Sequence, residues 1–226
     1  MKLGVHAIFG GSFNPPHFGH LDTISAAARE FGLSKVNLLL APQPPHKEIK
    51  YASLEQRMEM LALACGDYPL CNPDFTETHL PSPCYTVNTL RYLRSIHTNK
   101  SLVFFLGSDS LINIHTWYDW QQLLNYAHLV VLPRPQHNGP LLPKTADWIK
   151  TVEQTDKNML KQYKNGCLFF AETPLWDVSS TQIRLRLNEN VQMDNKQQHN
   201  EQQLLPQKVA DYIKQHHLYD STANSL

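Results

Sequence analysis

Short apolar runs, each stopped by glycine or proline and separated by helical periodicity, limit what this chain can fold into more than any other feature. The first run, 3–9, is nearly continuous and ends at Gly10-Gly11, as a strand buried on both faces does where it enters a tight loop. Residues 19–31 then carry Leu21, Ile24, Ala27 and Ala28 at helical spacing, with Gly32 as a C-terminal stop. Residues 36–40 form a second buried run. Strand, helix, strand in this order is a βαβ unit, and its right-handed crossover builds a parallel sheet.

The pattern recurs. The run 102–106 ends at Gly107, 129–132 precedes Pro133-Arg134-Pro135, and 167–171 is a last short strand. Between them, Ser53-Leu-Glu-Gln56 is a capping box opening a helix with Met58, Leu61, Ala62 and Cys65 on one side, and Thr86 is placed to cap a helix with Val87, Leu90 and Leu93. The expected fold is a Rossmann-like, doubly wound α/β sheet with helices on both faces and a small C-terminal helical part. A chain of 226 residues fits one domain, 1–226. Residues 137–166 are polar with weak periodicity and read as a surface insertion, and 192–203 is a Gln/Asn-rich loop. A C-terminal helical region covers 181–219, with Pro206 opening the final helix. Ligands of such sheets bind at the carboxyl ends of the strands. The strand-end segments 9–20, 41–47, 107–109, 133–134 and 177–184 are therefore expected to converge.

Composition removes several classes of function. Lys+Arg and Asp+Glu both number 20, so no strongly basic surface is offered to nucleic acid or to an anionic membrane, and phosphate binding must be local. The four cysteines contain no C-x-x-C pair and read as free thiols. The N-terminus lacks a long apolar region and a small-residue cleavage site, and no apolar stretch is long enough to span a bilayer, so a cytoplasmic protein is expected.

The densest motif is Gly10-Gly-Ser-Phe-Asn-Pro-Pro-His-Phe-Gly-His20. Two glycines let the backbone approach a phosphate, and the helix that follows presents N–H groups and the positive end of its dipole to an anion. His17 and His20 are three apart and share a face if the first turn is helical. A lone histidine at a helix start is more often a cap, and a zinc site wants further ligands at similar spacing, which this motif lacks. Neither a Walker loop nor a G-x-G-x-x-G fingerprint follows the first strand. Near the other end, Val178-Ser-Ser-Thr-Gln-Ile-Arg184 reads as an ordinary N-cap, or as hydroxyls and a guanidinium cradling a triphosphate tail.

With these motifs the sequence resembles the H-x-G-H nucleotidyltransferases. Pro44-Pro-His-Lys47, Arg57, Tyr85-Thr86, Gly107-Ser-Asp109, Trp117 and Pro133-Arg134 follow in the order found in bacterial nicotinate-nucleotide adenylyltransferases, over most of residues 3–190. Two departures are Asn14, where many relatives have Asp, and Cys84, where Ser is frequent. The resemblance implies joining nicotinate mononucleotide to the AMP half of ATP, with release of pyrophosphate.

It also implies roles. His17, His20, Lys47 and Arg134 would be the catalytic groups, with His20 near the α-phosphate. Gly10, Gly11, Ser12 and Phe13 would line the ATP site with the two histidines, Gly107 and Asp109, while Ser180 and Arg184 take the β- and γ-phosphates. Lys47, Thr86, Trp117, Tyr118 and Arg134 would hold the mononucleotide, its pyridine ring stacked on Trp117. Trp117 and Trp120 read equally as core aromatics, Lys47 as a solvated loop residue and Asp109 as an N-cap. The chain lacks a carboxylate cluster, so Mg²⁺ should arrive with ATP rather than in a protein-held metal site. Phosphopantetheine, nicotinamide mononucleotide or a phosphorylated alcohol with CTP are competing substrates for the same chemistry. A nucleotide sensor without turnover and a His/Cys metal protein are readings of other classes. Monomer and homo-oligomer both remain open.

Overall fold

The structure is a computed structural model describing residues 2–43, 51–135, 139–189 and 204–219. Six parallel strands form one sheet in the order β3-β2-β1-β4-β5-β6. They are β1 (Val5–Gly11), β2 (Val36–Leu40), β3 (Cys71–Asp74), β4 (Ser101–Gly107), β5 (His128–Leu132) and β6 (Leu168–Phe170). The chain winds outward from β1 to one edge, returns to β4 beside it, and winds outward again. The switch point therefore lies between β1 and β4, which pair from Val5↔Ser101 to Phe9↔Phe105. Connections from neighbouring strands diverge there, which leaves a crevice above the strand ends.

The central strands bury both faces, and their side chains alternate between two cores. Ala7, Phe9, Leu38, Leu40, Val103 and Phe105 pack on one side. That side is covered by α1 (Phe18–Glu30), α2 (Leu54–Gly66) and the C-terminal helix α8 (Gln207–Gln215). Ile8, Leu39, Phe104 and Leu106 face the other side. There they meet α3 (Thr86–Ile96), α5 (Pro143–Val152) and a short 3-10 turn over Trp120–Asn125. Each fully buried Leu, Ile or Phe contributes roughly 1.5–3 kcal/mol. These two apolar layers hold the sheet rigid beneath the loops.

The strands and helices expected from the sequence form close to their expected limits, with particular departures. Strand β3 was not expected: only Cys71 of Cys-Asn-Pro-Asp is buried, and a proline is tolerated because the strand lies at an edge. The polar stretch read as a surface insertion carries α5 and α6 (Met159–Gln162), which supply the crossover from β5 to β6 and bury Ile149 and Leu160. The buried face of α2 is Arg57, Met60, Leu61, Ala64 and Cys65, rotated from the expected one, and Ala62 is exposed. Its capping box forms as expected: Ser53 N–H donates to Gln56 Oε1 at 2.8 Å and Gln56 N–H to Ser53 Oγ at 3.2 Å. Thr86 is the first residue of α3 rather than its cap, which is Tyr85. The four cysteines are free thiols. The loop 44–50 and the segment 190–203 lie outside the described residues.

Candidate active site

A cavity of about 750 Å³ opens above the switch point and draws on the ends of several strands. Its floor is the β1–α1 turn, with Gly10, Gly11, Ser12, His17 and His20, and the end of β4, with Gly107 and Asp109. One wall is Tyr85, Thr86, Trp117 and Tyr118, another is Trp176 to Gln182, and Arg134 lines the cavity as well. Of the residues given site roles in the sequence, those lining the cavity are Gly10, Gly11, Ser12, His17, His20, Thr86, Gly107, Asp109, Trp117, Tyr118, Arg134 and Ser180.

The histidine pair is the most constrained feature. His17 caps α1 and is 1% exposed. Its ring stacks on that of His20 at 3.7 Å between centroids. His17 N–H donates to His20 Nδ1 at 3.3 Å, so the His20 proton is placed on Nε2. Burial, and then the nearby Arg134 charge, push the His17 imidazole down to about 3. The His17 ring is therefore neutral near pH 7, and the His20 ring offers its Nε2–H. Neither ring nitrogen of His17 has a hydrogen-bond partner among the described residues. A buried donor left unmade costs about 1–3 kcal/mol, and a phosphate oxygen in the cavity would satisfy it. Gly19 between the histidines is required by packing: a Cβ there would collide with Val178 and the His17 ring.

Gly107 has a similar origin, since a Cβ would strike the Asp109 carboxylate and crowd the Arg134 side chain. Arg134 follows β5, and its N–H donates to Ser108 Oγ at 3.1 Å, tying the β4 and β5 ends together. Asp109 Oδ1 is buried with no partner among the described residues, an acceptor facing the cavity. The start of α3 has no side-chain cap, and the first N–H groups of a helix have no intrahelical acceptor. That end opens beside an aromatic wall, where Tyr85 stacks on Tyr118 at 4.7 Å and Tyr118 is 53% exposed. Trp117 lines the cavity, whereas Trp120 is a core residue against Trp148.

Two expected residues stand elsewhere. Phe13 is buried beneath the cavity, its ring edge-on to His20 at 5.2 Å, so it supports the histidine from behind. Arg184 does not line the cavity: its guanidinium donates to the Asn14 carbonyl at 2.7 Å and to Thr181 Oγ1 at 3.1 Å. Lys47 lies outside the described residues. In the Ser179-Ser180-Thr181 turn, Ser179 is the N-cap, exchanging bonds with Gln182, while Ser180 Oγ donates to the Pro15 carbonyl at 3.0 Å.

Other cavity residues escaped the sequence reading. Glu77, in the turn after β3, accepts from Thr89 Oγ1 at 2.7 Å, and burial pushes its carboxyl up to about 7. Trp176 borders the cavity and is half exposed. Arg57, named in the motif order, does not line the cavity: it is 1% exposed and donates to the carbonyls of Ser12, Ala41 and Pro42 at 3.2, 2.8 and 2.6 Å, fastening the loops after β1 and β2. Among the described residues no group of three or more His, Cys, Asp or Glu side chains gathers to hold a metal ion, and no helix is long and apolar enough to cross a membrane.

The chain matches the cytidylyltransferase-like family over residues 8–186. It is 37% identical over 217 residues to a Serratia proteamaculans protein named "Probable nicotinate-nucleotide adenylyltransferase", covering 95% of each chain. It is 38% identical over 218 residues to an Idiomarina loihiensis protein of the same name, covering 95% of this chain and 99% of that one. The fold is that of the Plasmodium falciparum nicotinic acid mononucleotide adenylyltransferase solved in complex with NaAD. That comparison has a TM-score of 0.69 at 19% identity and covers 96% of this chain and 97% of the other. On the motif order, the cavity and these relatives together, the chain belongs to the cytidylyltransferase-like family, in its nicotinate-nucleotide adenylyltransferase branch.

Proposed function

We propose that the chain joins nicotinate mononucleotide to ATP, forming nicotinate adenine dinucleotide and pyrophosphate for NAD biosynthesis. The observation that carries this reading is the stacked His17–His20 pair at the start of α1, lining a cavity that also has an aromatic wall. Such a pair suits phosphate oxygens, and such a wall suits a flat ring.

The transfer needs no protein nucleophile, because positioning and charge stabilisation supply most of the rate in reactions of this kind. A mononucleotide phosphate oxygen attacks the α-phosphorus of ATP. The bond from that phosphorus to the bridging oxygen breaks, and pyrophosphate leaves with the electron pair. His17 and His20 donate to phosphate oxygens, His20 where charge grows at the α-phosphate. Arg134 steadies the anions, and Lys47 is assigned the same task. Gly10, Gly11 and Ser12 allow close approach of the triphosphate, and Asp109 accepts from a ribose hydroxyl. Ser180 and Arg184 would serve the β- and γ-phosphates once released from the carbonyls they now bind. The pyridine ring rests on Trp117, and N–H groups and hydroxyls around Thr86 and Tyr118 meet its carboxylate. Magnesium enters as part of the nucleotide substrate, where it offsets phosphate charge.

The whole chain acts as one nucleotidyltransferase domain in the cytoplasm. With ATP, Mg²⁺ and nicotinate mononucleotide, purified protein should release pyrophosphate in step with the deamido dinucleotide. Chromatography of the products checks this, and no product with any pyridine mononucleotide would defeat the reading.

A further inference from the structure

The β1–α1 loop is held by more groups than its own turn needs. Arg57 takes the Ser12 carbonyl, Arg184 the Asn14 carbonyl and Ser180 the Pro15 carbonyl. A fourth tether comes from the far end of the chain. Tyr219 Oη donates to Asn14 Oδ1 at 2.6 Å, across 205 residues of sequence, and both side chains are buried.

The backbone is bent to make this contact. After α8, His217 and Tyr219 have φ of 52° and 71°, a left-handed conformation that costs a non-glycine residue free energy and persists only where surroundings enforce it. The enforcing contacts are present: Leu218 N–H donates to the Ile213 carbonyl at 3.0 Å, and Val209, Ile213 and Leu218 are buried in the core that α2 shares. The phenol ends near Met60 Sδ at 3.9 Å, within the influence of the Arg57 and Arg184 charges. It thus sits where the tethers from α2 and from α7 (Ser180–Glu189) converge on one loop. A Phe would fill the same apolar space, so the hydroxyl serves Asn14 rather than packing.

We propose that Tyr219 is a positioning residue for adenylyl transfer, its hydroxyl fixing Asn14 and through it the loop that carries His17 and His20. The inference rests on the adenylyltransferase reading above. It also gives Asn14 a function: its side-chain oxygen is the acceptor, and an Asp there would accept the same bond.

Displacements of about 1 Å around a reacting centre cost up to a hundredfold in rate, so loosening one of four tethers should cost about tenfold. Tyr219→Phe is expected to lower kcat by about that factor and to weaken ATP, while KM for the mononucleotide holds. Asn14→Asp should retain the wild-type rate within about threefold, and Asn14→Ala should reproduce the Tyr219→Phe loss. The double variant Tyr219→Phe with Asn14→Ala should be no slower than Asn14→Ala alone, the mark of one shared interaction. Should Tyr219→Phe not fold, Asn14→Ala and Asn14→Asp carry the same comparison. ATP affinity by calorimetry tests the tether without turnover. Wild-type product formation tests the reading of function separately. A folded Tyr219→Phe with wild-type kcat and ATP affinity, or losses that add fully in the double variant, would overturn the proposal.

Discussion

His20→Ala is expected to lower kcat by about a hundredfold or more while the protein stays folded. His20 stands in the first turn of α1, buttressed by Phe13 and stacked on His17. Its Nδ1 is taken by the His17 backbone N–H, which leaves Nε2 as the protonated nitrogen. Removing one donor aimed at charge that develops in the transition state costs about 10²–10³ in kcat. The structural cost is far smaller, because the bond lost at the helix start is a single capping interaction of about 1 kcal/mol. His17, held neutral by burial and by Arg134, should contribute no change in charge, and hence no inflection in rate, as pH falls through 6.5. Steady-state kinetics beside a thermal melt separate the two effects. A well-folded His20→Ala enzyme with undiminished kcat would assign this histidine to the helix cap alone.

Much of this geometry was readable from the sequence where burial leaves a simple pattern. Strands β1, β2, β4 and β5 are apolar on both faces and end at glycine, alanine or proline, so their positions and the sheet type followed. Strand β3 did not, because an edge strand with Pro73 and one buried residue carries no such run. Glu77 was missed with it, since its place in the cavity depends on where that strand ends. The order of motifs identified His17, Thr86, Trp117 and Arg134 as neighbours, although some lie more than a hundred residues apart. The tethers Arg57 to Ser12, Arg184 to Asn14 and Tyr219 to Asn14 are long-range and polar. No periodicity records them. The same tethers account for Arg184 lying outside the cavity: its guanidinium holds the Asn14 carbonyl.

Nicotinate mononucleotide should be preferred over nicotinamide mononucleotide by about a hundredfold in kcat/KM. The two acceptors differ at one group: a carboxylate only accepts hydrogen bonds, whereas an amide carries an NH₂ that must donate. The wall assigned to this group is the start of α3, which has no side-chain cap and has Tyr85, Thr86 and Tyr118 beside it. N–H groups at a helix start suit a negative group and leave an amide NH₂ unmatched. An unsatisfied donor costs about 1–3 kcal/mol, and the loss of charge-assisted bonds adds a similar amount. Glu77 also lines the cavity. Burial raises its carboxyl to about 7, which limits the charge it sets against the substrate. Trp117→Ala should weaken both acceptors together, because stacking does not depend on the ring substituent, and should leave ATP affinity nearly unchanged. Kinetics on both acceptors with wild type and Trp117→Ala test the assignment. Equal efficiency on the two, or a variant that loses ATP instead, would move the pyridine pocket elsewhere.

The most direct measurement is a crystal structure of this protein with the dinucleotide product bound. The diphosphate is expected within hydrogen-bonding distance of His17 and His20, the pyridine ring against Trp117 with its carboxylate at the start of α3, and the adenosine towards Asp109 and the Trp176 wall. A dinucleotide bound outside the cavity, or one bound in reverse with adenine on Trp117, would contradict that arrangement.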